Sequence, residues 1–138
     1  MSELQGKWYY QSFCPFAADV DRTKSPPELK RQALIAGPWT PTSIMEFKTD
    51  SSGIVSGTAK LGPYEFKITG SVKPAAGNIP DGIELVVTVE KSSTVYNLRG
   101  FFLANSDHVV GSVVALSNDL GYQPAGTSGP FVLFPVRT

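Results

Sequence analysis

Apolar residues in this chain recur at every second position, in short segments separated by turn residues. Tyr64, Phe66, Ile68 and Val72 alternate with Glu65, Lys67, Thr69 and Lys73. Ile83, Leu85, Val87 and Val89 alternate with Glu84, Thr88 and Glu90. A period of two places successive side chains on opposite faces of a β-strand, one face for a core and one for solvent. Eight segments read this way: 7–13, 43–49, 54–61, 64–73, 83–91, 94–104, 108–117 and 130–137. Most of the 13 glycines and 11 prolines fall between them. Turn signals at near-regular spacing favour an all-β barrel or sandwich over a βαβ fold. Short connections favour a meander, and about eight meandering strands close into an up-and-down antiparallel β-barrel.

The 138 residues suit a single β-barrel domain spanning 1–138. Its 12 basic and 12 acidic residues cancel, and no basic stripe points to nucleic acid. A neutral chain also lacks the self-repulsion that keeps copies apart, which favours a homo-oligomer. Residues 1–5 carry no apolar signal region, and no apolar run reaches membrane-spanning length. A cytoplasmic protein with no membrane partner is the expectation.

Segment 14–41 breaks the rhythm, being too long for a hairpin turn. Within it, Ser25-Pro26-Pro27-Glu28 has the form of a capping box with Pro at the first helical position. Leu29, Ala33 and Ala36 recur at helical spacing, and Gly37-Pro38 ends the pattern. A short helix over 26–35 is predicted, with Trp39 packing the insertion onto the barrel wall.

Signals for catalysis are sparse. His108 is the sole histidine and falls at a predicted hairpin tip, where a solvated turn residue is the ordinary reading. One Cys and one His cannot assemble a structural zinc set, and nothing calls for a metal or cofactor. No phosphate-cradling glycine loop, dinucleotide fingerprint or nucleophile elbow is present. Cys14 has no nearby cation to lower its pKa. Asn118-Asp119 reads first as a turn and second as a polar contact at the barrel mouth.

The two faces of the strands separate candidate residues. Tyr10, Ser12, Val55, Leu61, Phe66, Thr94, Tyr96, Leu98 and Phe102 are expected inward, with Ile68, Leu85 and Val87 beside them, lining a lumen suited to an apolar ligand with a few hydrogen-bonding atoms. The same positions equally suit a packed core. The sixth and seventh segments then present Asn97, Arg99, Phe101, Val114 and Leu116 outward, a composition closer to a subunit interface than to a solvated wall. The other reading of Arg99 is a stem lying over apolar surface with its head in water.

Gly6-Lys7-Trp8 matches the Gly-x-Trp of the first strand in the avidin–streptavidin family and, more distantly, the lipocalins. Ile54-Val55-Ser56-Gly57-Thr58 resembles the avidin-type strand ending in Gly-Thr. Ser117-Asn118-Asp119-Leu120-Gly121, with Gly129 and Phe134, resembles the stretch joining that family's last two strands. The resemblance implies a calycin-like barrel enclosing a small molecule. The family's biotin-contact tyrosine, tryptophan and last-strand polar residue correspond to Ala59, the vicinity of Gly111 and the vicinity of Phe131, so the biotin set is largely unmatched.

Three function classes stay open. The first is a non-enzymatic barrel binding a small apolar molecule, with a lumen of several hundred Å³ expected (roughly, from ligand pockets in general). The second is a structural, interaction or inhibitor protein using its outer face. The third is a small barrel isomerase similar to allene oxide cyclases, with Cys14 and Asp119 as its candidate groups.

Overall fold

The computed structural model describes residues 2–13, 42–117 and 125–137. Among these are eight strands: β1 (Gly6–Ser12), β2 (Ser43–Thr49), β3 (Ile54–Leu61), β4 (Tyr64–Lys73), β5 (Gly82–Val89), β6 (Val95–Phe102), β7 (Val109–Ser117) and β8 (Ser128–Pro135). Each pairs antiparallel with the next, and β8 pairs with β1, so the sheet is a closed up-and-down barrel without an open edge. No helix occurs among the described residues, and the predicted helix over 26–35 and Trp39 lie outside them.

The eight predicted segments correspond to the eight strands; the second, third and fourth match at both ends, and the others are displaced by at most two residues. Thr94 belongs to the β5–β6 turn rather than to β6, because Ser92 Oγ engages both its side chain (2.9 Å) and its N–H (3.0 Å). Lys91, in the same turn, has φ of 61°. At the β6–β7 hairpin Asn105 has φ of 59°, a conformation that Asn tolerates well. The last strand starts earlier than expected, at Ser128, because Val114 and Ser128 are already in register.

Register puts the alternating apolar set inside. Trp8, Met45, Phe47, Val55, Ile68, Leu85, Leu98, Val113 and Leu133 are all buried in one cluster. Two glycines let neighbouring strands approach. A Cβ on Gly70 would collide with the Glu84 carbonyl, and one on Gly111 with the Arg99 carbonyl.

The two ends of the barrel differ. At one end, residues before β1 cross the lumen. Leu4 is fully buried there. Its N–H donates to Thr49 Oγ1 at 3.1 Å, and Thr49 Oγ1 donates back to the Leu4 carbonyl at 2.7 Å. The Trp8 indole N–H donates to the Gln5 carbonyl at 3.0 Å. Asp81 accepts from the Ser2 and Ala75 N–H groups, both at 2.7 Å, which holds its carboxyl below the usual range. Trp8, Phe47, Val55, Ile83, Phe102 and Val109 fill the barrel around this strap. At the opposite end, that of Ser12 on β1 and of the β3–β4 and β5–β6 turns, the described residues leave a cavity; the connections that follow Ser12 and Ser117 at this end fall largely outside the described residues.

Candidate functional site

The hollow is lined by Tyr10 and Ser12 from β1, Ser43 and Met45 from β2, Ala59 and Leu61 from β3, Phe66 from β4, Val87 from β5, Tyr96 and Leu98 from β6, and Val113 from β7. Each occupies an inward position set by strand alternation, so seven strands contribute to one cavity. Its volume is about 50 Å³, and the wider depression with its open mouth encloses about 490 Å³. The enclosed part is far narrower than the several hundred Å³ expected from sequence, because Phe66, Tyr96 and Leu61 project into it from three strands.

Four hydroxyl-bearing side chains stand in this otherwise apolar lining: Tyr10, Ser12, Ser43 and Tyr96. Ser12 is buried, and its hydroxyl hydrogen-bonds that of Tyr10. The Tyr10 ring lies 5.9 Å from that of Phe131, centroid to centroid, at 33°. Burial pushes the Tyr10 phenol up to about 12; the Ser12 hydrogen bond opposes this and Tyr96 adds to it. Burial also raises Tyr96. A site that penalises a phenolate this strongly is poorly solvated, and no compensating cation stands among its described lining residues. No charged residue, imidazole or thiol is among the lining residues described.

The expected lumen residues divide in two. Tyr10, Ser12, Leu61, Phe66, Tyr96 and Leu98 come together around the cavity. Val55 and Phe102 sit in the packed half instead, and Thr94 is buried in its turn. Ser43, Met45, Ala59 and Val113 also line the cavity but were not among the candidates. Inward alternation of the second, third and seventh segments would have found them. Small or flexible side chains there attract no notice, yet their smallness leaves the space.

The outer candidates form a second region. Asn97 pairs with Val114, and Arg99 with Ser112, across β6 and β7. Phe101 is 47% exposed and Leu116 54%. Arg99 binds Glu84 at 3.2 Å, so its charge is neutralised within the sheet; this ion pair was not foreseen. His108 is exposed and sits edge-on to Phe134, centroids 5.7 Å apart. Tyr9 packs on the other side of Phe134 at 5.3 Å. Cys14, Asn118 and Asp119 lie outside the described residues.

Among the described residues these features define a β-barrel packed at one end and carrying a small cavity at the other. In comparisons with known proteins, no family model, no curated protein and no solved structure matches the chain.

Proposed function

We propose that this protein is a non-enzymatic barrel that binds a small, mainly apolar molecule in the hollow half of its lumen. The observation that carries this reading is the asymmetry of filling. The same strands pack one end around Leu4, Trp8 and Phe47, while at the other the described residues leave a cavity around the hydroxyls of Tyr10, Ser12, Ser43 and Tyr96. A barrel needed only for stability gains by filling both ends, since a void forfeits contacts along its whole lining. The lining of aliphatic and aromatic carbon with a few convergent polar groups is the usual chemistry of a small-molecule site. The narrow width selects slender molecules over polycyclic ones.

Native mass spectrometry of the purified protein, joined to ligand-observed saturation-transfer NMR with six-carbon aliphatic compounds, tests the reading. Binding is expected in the wild type and lost in Ala59→Phe, which fills the cavity from β3. Equal signals from both proteins would place binding elsewhere on the surface and end the proposal.

A specific observation favours a second role, association through the outer wall. Outward residues of β2 to β5 include Glu46, Lys48, Lys60, Glu65 and Lys67, all exposed. Outward residues of β6 to β8 include Phe101, Val110, Val114, Leu116, Val132 and Phe134. The outer face of β6 to β8 is thus richer in apolar side chains than that of β2 to β5, although Arg99 interrupts the first and Ile44 and Ile54 are exposed on the second, a bias of the kind an interface patch carries. The two roles are compatible, because the lumen and the outer wall use opposite faces of the same strands.

A further inference from the structure

Resting on the binding role proposed above, we infer that the cavity takes a neutral slender molecule with an oxygen-bearing head, an aliphatic alcohol, aldehyde or ketone, in preference to a fatty carboxylate or an alkylamine. None of the residues described around the cavity carries a charge. An ionised carboxylate seated there leaves water without a cationic partner, and an ammonium does so without an anionic one. Either loses far more solvation than a neutral group does. Among the described residues, the charged ones near the mouth offer no substitute. Glu46 on β2, Lys60 on β3, Glu65 and Lys67 on β4 and Glu90 after β5 alternate with the lumen positions and point outward, and all are exposed.

Glu65 and Glu90 stand opposite each other there, the Glu90 N–H donating to the Glu65 carbonyl at 2.9 Å. Their carboxyls hydrogen-bond to each other and raise that of Glu90.

The lining hydroxyls fit the neutral class. Tyr10, Ser12, Ser43 and Tyr96 each carry an O–H that donates and an oxygen that accepts. A carbonyl needs a donor, and an alcohol uses both. A phenol that stays protonated far above neutral pH keeps its donor at every working pH. Below the hydroxyls, Met45, Val87, Leu98 and Val113 give an apolar slot for a chain.

Calorimetric and saturation-transfer titrations of the full chain with 1-hexanol, 2-hexanone, hexanoate and hexylamine test this. At pH 7, hexanol and hexanone are expected to bind at least tenfold tighter than hexanoate or hexylamine (about 1.4 kcal/mol). Hexanoate should gain affinity as pH falls through about 4 to 5 and its own carboxyl becomes neutral. Tyr10→Phe, which keeps the ring and removes the hydroxyl, should weaken hexanol several-fold. Hexanoate or hexylamine binding as tightly as hexanol at pH 7 would overturn the inference while leaving the binding role intact. If none of the four binds, or all bind Ala59→Phe as well as wild type, the binding role falls and the inference with it.

Discussion

Tyr10 concentrates what the inside of this barrel does to a polar group. Its strand position turns it inward, Phe131 covers its ring, and its hydroxyl is held by Ser12. Burial raises its ionisation from 10.0 to about 12. Because the folded value lies above the unfolded one, the folded state keeps a proton that the unfolded chain gives up. The contribution to stability is therefore intact below pH 10 and is lost as pH rises towards 12, by at most about 3 kcal/mol. Denaturant midpoints measured across this range should fall in the wild type, and less steeply in Tyr10→Phe. A fall of equal slope in both would assign the effect to other groups. The residue was legible as inward because Trp8, Tyr10 and Ser12 alternate with charged or exposed-type neighbours. Its raised ionisation was not, since that depends on how closely strands far apart in sequence crowd around it.

The strands themselves were the most readable level, because a two-residue period leaves little choice of which side faces the core. The ends were less readable. Thr94 has the β-branched character of a strand residue, but its hydrogen bonds to Ser92 commit it to the turn. Which inward residues fill and which leave space was also hidden. Val55 and Ala59 lie on the same face of β3, yet Val55 meets the packed half and Ala59 the hollow one. The difference arises from the N-terminal strap, whose Leu4 enters the lumen from outside any periodic segment. Close strand contact at glycine gives a sharp check on the register of β6 with β7. Gly111→Ala should destabilise by about 1–3 kcal/mol, since the added methyl group meets the Arg99 carbonyl and Gly100 Cα rather than a flexible side chain. A denaturant midpoint unchanged by that substitution would contradict the register Gly100↔Gly111.

For the molecule as a whole, the apolar side chains gathered on the outer face of β6 to β8 predict association. Light scattering and native mass spectrometry should find more than one copy per particle. Phe101→Lys combined with Leu116→Lys should shift the particle towards monomer without changing hexanol binding, because both side chains point away from the lumen. A wild type that is monomeric at high concentration would remove the interface reading and leave the cavity untouched. Ring closure has a different consequence, felt while the chain is being made. The seam joins Trp8 to Pro135, so the first strand must wait for the last before its free edge is covered. Contacts this distant in sequence slow folding, and a growing polypeptide would carry two unsatisfied rows of backbone groups until β8 has been made. Nascent chains are therefore exposed to mispairing for as long as the barrel strands are being made, and chaperone protection would have to last until β8 leaves the ribosome.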